Sequence, residues 1–222
     1  MEVLGLALSE GVLAAEHSLS LLNGQRSQKG ARRDTIRNKR RLLAAASELI
    51  RDGSDLNMQN VADRADIAIA TAYRHFSSAE ALVNAYVLTI IDDLIGYSAG
   101  CKATGRELIS SLLDHWIGLI QEHGHVMVNF RSRHGFFERL NAKDPVVLLV
   151  QVAWGRPISE YLADRHLDPS LSSHALFLCN LLFDPREVLD LMNEAGHSRR
   201  ELGPRLLSSM DGALSGWAAL AD

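Results

Sequence analysis

Apolar residues along the first third of the chain recur at helical spacing. Leu42, Ala45, Ala46, Leu49 and Ile50 fall three and four positions apart, which predicts a helix over 36–50 that Gly53 terminates. Met58, Val61, Ala62 and Ala65 repeat the pattern over a shorter stretch, with Asn57 placed to cap its start. Asp66 then stands where a left-handed turn residue is needed, a conformation aspartate tolerates better than most residues. Ile67 offers an apolar anchor, and a second short helix with a polar rim follows over 69–76. Two short helices joined by a tight turn and crossed by a longer one make a three-helix, helix-turn-helix pattern.

Beyond Phe76 the pattern stays helical. Ser77-x-x-Glu80 reads as a capping box opening a helix to about Tyr97, followed by a loop over 98–105. Further helices are expected over 106–122, 126–140, 145–165, 171–182, 185–195 and 199–221. Asp144-Pro145 and Asp184-Pro185 each place a cap before a first-turn proline, and Ser198-x-x-Glu201 is another capping box. Pro157 predicts a kink or break. The expected fold is all-α: a flexible leader over 1–30, a helix-turn-helix DNA-binding domain over 31–77, and a larger helical domain over 78–222.

The first domain resembles the N-terminal domain of the TetR family of transcriptional regulators. The matching residues are Leu42-Leu43-Ala44-Ala45-Ala46, Gly53, Val61-Ala62, Ala65, Ile67 and Thr71-Ala72-Tyr73-Arg74-His75-Phe76, then Glu80 and Leu82. The resemblance spans roughly residues 35–90 and depends most on the Tyr-x-His-Phe ending. Three positions depart from it: Asp66 replaces the family's usual Gly, Ala68 its usual Ser, and Ala79 a common phosphate-binding Lys. The resemblance implies a dimer on a palindromic DNA operator, a small-molecule effector bound among the later helices, and repression relieved by that effector. An activator would share nearly every one of these features.

On DNA, residues near the start of a recognition helix read bases while surrounding groups hold phosphates. Ile69, Ala70 and Thr71 occupy that first turn, where apolar groups meet thymine methyls and Thr71 adds a hydroxyl. By resemblance, Gln59 reaches a base, and Tyr73 and His75 contact phosphates. Asn57 belongs to the same surface. The alternative for Tyr73 and His75 is that they are helix-end aromatics closing the small core.

Charge adds a second footprint. Between Arg26 and Arg41 lie eight basic residues and one acid, a net +7 in a chain of −4, so everything else sums to −11. Arg32, Arg33 and Arg37 stand in this run, which is expected to follow the DNA backbone or enter the minor groove and so replace the missing Lys at position 79.

Of thirteen aromatic residues, eleven follow residue 76. Trp116, Phe130, Phe137, Trp154 and Phe177, with His134, are candidates to line an effector cavity; as ordinary core residues they would look the same in sequence. Leu206, Met210, Leu214 and Trp217 form one helical face beside Gly212, Ala213 and Gly216, either a dimer seam or internal core. No cofactor or metal is expected, since His123-x-His125 points to two faces of a helix and suits a surface turn better. Neither cysteine has a motif partner, the N-terminal stretch lacks a basic signal-peptide start, and no stretch approaches a membrane span, so a cytoplasmic protein is expected. Phosphate loops and nucleophile elbows are absent, which argues against an all-helical enzyme or carrier.

Overall fold

The computed structural model describes residues 29–128 and 134–219, with side chains from Arg33 onward. Among these residues are ten α-helices, one 3-10 turn and no strand. The first three helices form a head: α1 (Lys29–Arg51), α2 (Met58–Arg64) and α3 (Ile69–His75). The body contains α4 (Ala79–Gly100), α5 (Gly105–Met127), α6 (Phe136–Asn141), α7 (Pro145–Asp164), α8 (Ser172–Leu182), α9 (Pro185–Asn193) and α10 (Arg199–Ala218). The helix α1 begins at Lys29, not near Ile36, so the basic run from Lys29 onward is helical.

The head closes around Leu42, Ala45, Ala46 and Leu49 of α1, Val61 and Ala62 of α2, and Ala72 of α3. Phe76 completes this core from the end of α3. Asn57 caps α2, its side-chain oxygen accepting from the Asn60 backbone N–H at 2.9 Å. Asp66 takes the left-handed turn at φ 49°, and Gly53 ends α1 at φ 66°. Arg41 secures that turn from α1, donating to the Asp66 carbonyl and to its carboxylate, each at 3.1 Å. The start of α3 lacks a side-chain cap at Ala68, as its sequence implies.

In the body, α5 is the central helix, burying Leu108, Ile109, Leu112, Leu113, Ile117 and Ile120 among its neighbours. The helix α4 starts one residue later than its capping-box spacing suggests. Ser78, not Ser77, accepts from the Ala81 N–H, which leaves Glu80 in the first turn without a reciprocal bond to the cap. Asp144 and Asp184 cap α7 and α9 ahead of their prolines, as expected. Glu201 accepts from both the backbone N–H and the hydroxyl of Ser198.

Two local readings resolve through distant contacts. Of the kink or break expected at Pro157, the break does not occur: α7 runs through it. Its missing N–H frees the carbonyl four residues back, and that carbonyl, on Ala153, accepts a buried 2.7 Å bond from the Ser98 hydroxyl of α4. His123 and His125 occupy no surface turn, because α5 continues through both to Met127. Gly124 between them is buried against Leu189 of α9, where a Cβ would stand 2.7 Å from a leucine methyl. Of the helix expected over 126–140, residues 126–127 close α5 and Phe136–Asn141 form α6, while 129–133 lie outside the described residues.

The turn before α3 gives a direct test of this packing. Asp66→Ala should destabilise the protein by about 1 kcal/mol, because alanine pays the left-handed penalty and loses the Arg41 bond. Asp66→Gly should hold near wild-type stability in the same urea titration. Equal losses for the two variants would show that backbone strain at position 66 is not the controlling factor.

Candidate nucleic-acid interface and interior cavity

The outer face of α3 is open to solvent. Tyr73 is 53% exposed, Ala70 and Arg74 are exposed, and Thr71 and His75 are half-buried. Ile69 is half-buried like Thr71 and packs partly against the head core, because a helix of seven residues has little apolar surface to spare for anchoring. Ala79 likewise packs against that core at the start of α4.

The helix α1 brings positive charge to both ends of α3. Arg33, Ile36, Arg37, Arg40 and Arg41 border one surface groove of α1, and Arg41 reaches the turn just ahead of α3. Near the other end, His75 has its pKa lowered by burial and then by the charges of Lys39 and Arg74. A group whose protonation is opposed by neighbouring cations marks a positive local field, suited to attracting a phosphate. Arg37 also pairs with Asp34 at 3.0 Å on the exposed helix surface, where such a pair contributes little stability. The Arg32 side chain and the leader before Lys29 lie outside the described residues.

Two candidates on α2 carry local structural duties. Asn57 is occupied as the α2 cap, and its amide nitrogen donates to Asp55 at 2.6 Å. Gln59 donates to both carboxylate oxygens of Asp63, at 3.0 and 3.1 Å, which orients its carboxamide. Arg74 was not among the residues singled out from sequence, although its place between Tyr73 and His75 is signal enough.

The body holds a partly open cavity of about 430 Å³. Its walls come from Val87, Ile90 and Ile91 of α4, Trp116 and Met127 of α5, Phe136 and Arg139 of α6, and Val146 and Val150 of α7. Asn180, Asp184 and Arg186 supply polar groups on one side, and His134 stands at the edge. A smaller space of about 100 Å³ shares Ile91, Trp116 and Val150 and extends to Trp154 and Cys179. Trp116 is held in place by a 2.9 Å bond from its indole N–H to the Phe183 carbonyl.

Three of the aromatic and histidine candidates therefore line these spaces: Trp116, His134 and Trp154. Phe137 and Phe177 do not. They stack on each other at 5.5 Å behind the cavity-lining Phe136, in a cluster with His174 and Trp217 between α6, α8 and α10. Helical spacing cannot distinguish the two sets, because the face an aromatic presents is decided by which helix packs beside it. Phe130 lies outside the described residues. The polar wall of Arg139, Asn180 and Arg186 was not anticipated, since these residues converge only through packing.

Head and body also meet through hydrogen bonds. The Ser47 hydroxyl of α1, buried in the seam, lies 2.9 Å from His125 Nε2 and accepts from the Tyr86 hydroxyl at 3.2 Å. Tyr86 in turn lies 3.1 Å from His123 Nδ1. Burial lowers the His125 pKa, reinforced by the charges of Arg51 and His123 and opposed by a hydrogen bond to the Ser47 backbone.

Residues 42–86 match the family model described as bacterial regulatory proteins, tetR family. A protein of Pseudomonas aeruginosa PAO1 assigned as a transcriptional regulator is similar in structure, with a TM-score of 0.57 and 12% identity. That alignment covers 80% of this chain and 90% of the other, and shows a shared fold. A Mesorhizobium loti MAFF303099 protein assigned as a TetR-family transcriptional regulator aligns at a TM-score of 0.49 and 19% identity, over 82% of this chain and 96% of its own. No curated protein sequence matches the chain. Among the described residues, no helix is long and apolar enough to cross a membrane, and no group of three or more potential metal ligands occurs.

The histidine in the seam makes stability depend on pH. A folded-state pKa below the unfolded value of about 6.5 means the neutral imidazole is favoured in the fold, so its contribution is present above that value and lost as pH falls through the folded pKa. Urea unfolding from pH near 7 down to near 5 should therefore show declining stability, and His125→Gln should flatten part of that decline. An identical pH profile in the variant would remove His125 as its source.

Proposed function

Since residues 42–86 make this chain a transcriptional regulator of the TetR family, we propose that it is a cytoplasmic, ligand-responsive repressor that releases a palindromic operator when a small molecule fills the body cavity. The observation that carries the reading is the exposed face of α3, with Tyr73, Arg74 and His75 beside the basic face of α1. Arg33, Arg37 and Arg40 would follow the phosphate backbone while Ala70 and Thr71 meet base edges. Ile69, turned partly into the core, would add little to base recognition. Gln59 would read a base after exchanging its bond to Asp63. Asn57 would act by fixing the start of α2.

The proposed effector site is the cavity itself, with Trp116 and Trp154 as aromatic walls and Arg139, Asn180, Arg186 and His134 as its polar contacts. An occupant shifts the protein between conformations only by binding one of them more tightly.

Pairing of two copies is proposed through α8 and α10. Leu206, Met210 and Leu214 are buried within the protomer and so belong to its own core. What remains outward is Leu181, half exposed, Trp217, and the exposed Gly212, Ala213 and Gly216. His174 Nδ1, beside Trp217, is buried without a hydrogen-bond partner among the described residues.

Selection of random duplexes with the full chain should return an inverted repeat with A·T pairs at the Ala70 and Thr71 contacts. Recovery of G·C-only half-sites would reject that base assignment, and no enrichment at all would reject the regulator. On the selected operator, replacing Arg33, Arg37 and Arg40 with alanine should reduce the salt slope of binding by roughly two to three, about 0.9 for each phosphate contact. An unchanged slope would leave α1 as a solvated surface. Sedimentation at micromolar concentration should give a dimer, and Trp217→Glu should shift it toward monomer; a wild-type monomer would overturn the pairing.

A further inference from the structure

We infer that Ser47, Tyr86, His123 and His125 form a latch through which the cavity sets the orientation of the head, an inference that rests on the effector role proposed for that cavity. The four side chains make one continuous relay between head and body, His123 to Tyr86 to Ser47 to His125, with links of 3.1, 3.2 and 2.9 Å. With Tyr86 donating to Ser47 Oγ, the link from His123 acquires a direction: His123 Nδ1–H donates to the Tyr86 oxygen.

The body residues of the relay lie on the two helices, α4 and α5, that also wall the cavity. Tyr86 precedes Val87 on α4, and Ile90 and Ile91 follow one turn later. On α5, His125 is two residues from Met127, which also lines the cavity. From the opposite side, Leu189 of α9 presses on Gly124, between the two histidines, and α9 begins with the cavity residues Pro185 and Arg186. Around the relay lies a small apolar cluster of Val83, Val87, Ile91, Val126 and Leu149, with Ile50 of α1 packed against it.

The physics assigns different work to these two kinds of contact. Apolar packing is non-directional and tolerates sliding, so the cluster keeps the head attached without setting its angle. Hydrogen bonds weaken steeply when distance or angle changes, so the relay specifies one seating. The head has only one covalent link to the body, the Ser77–Ser78 step into α4. The relay is a second attachment through α1, and two attachments define an orientation where one defines a hinge. Displacement of α4 and α5 by an occupant moves Tyr86 and the histidines together, and Ser47 loses its partners.

Hydrogen exchange on the full chain, without DNA or effector, tests the latch by filling the cavity through mutation. Val150→Phe should raise exchange across α1–α3 by roughly fivefold as the seating is released, and Val146→Phe serves if the first variant does not fold. In Tyr86→Phe and Ser47→Ala backgrounds the head should already exchange faster, and the filling substitution should add less than about twofold. Ser47→Thr, which keeps the hydroxyl, should restore the full response. Tyr161→Phe, which removes a body hydroxyl bonded to Asp211 at 2.6 Å, should leave the response intact, as a merely destabilising change would not. An equal response to filling with and without Tyr86 or Ser47 hydroxyls would overturn the latch, and so would no response in the wild-type background. Failure of the regulator reading registers separately, in the DNA selection.

Discussion

Helix α1 has to satisfy two apolar environments at once, and the rest of the molecule is arranged around that obligation. Leu42, Ala45, Ala46 and Leu49 close the core of the head, while Ser47 and Ile50, on an adjoining face, meet the body. The same helix extends N-terminally as a basic surface and reaches across to the turn before α3 through Arg41. Three small helices would hold a core of this size only weakly by themselves, since short chains bury too small a fraction of their surface. Docking against the body supplements that core and makes the position of α3 dependent on what α1 touches.

Within the body, α5 has a corresponding place. Its middle is packed on several sides by α4, α7, α9 and α10, so it cannot move independently of them. Toward its C-terminal end it contributes Met127 to the cavity and His123 and His125 to the seam with α1. Interiors packed at crystal-like density transmit displacement instead of absorbing it. A cavity beside such a helix is therefore mechanically connected to the head. Elsewhere the body is pinned by specific bonds: Arg156 donates to the carbonyls of Ser98, Cys101 and Ala103 at the end of α4, and Asp211 of α10 accepts from Tyr161 and pairs with Arg106 and Arg165.

The helix-turn-helix head was legible because its signals are local. Caps, left-handed residues and apolar spacing act within a few positions, and Asn57, Gly53 and Asp66 all adopt the conformations their chemistry favours. The recognition face was partly legible: Tyr73 and Ala70 stay exposed, whereas Ile69 and Thr71 are half-buried, Ile69 drawn toward the core by neighbours that no spacing rule weighs. Other readings changed where a distant group altered the local outcome. Pro157 reads as a kink or break, and the break is averted where Ser98 supplies the hydrogen bond that Ala153 would lack. His123-Gly124-His125 reads as a turn until α9 covers the glycine and Ser47 and Tyr86 engage the histidines.

By itself, the sequence determined an all-helical fold, the head with its turn, the concentration of positive charge between Arg26 and Arg41, and the family resemblance of the head. These follow from short-range conformational preference and from composition, which need no knowledge of neighbours. Tertiary structure alone decided which aromatics line the cavity, which separate into the Phe137, Phe177 and Trp217 cluster, and which polar groups converge as Arg139, Asn180 and Arg186. It also decided that a serine of the head meets His125, 78 positions away, and is joined to His123 through Tyr86. Those outcomes depend on how helices of similar amphipathic pattern are placed against one another, and helical periodicity specifies that a face is buried without specifying against what.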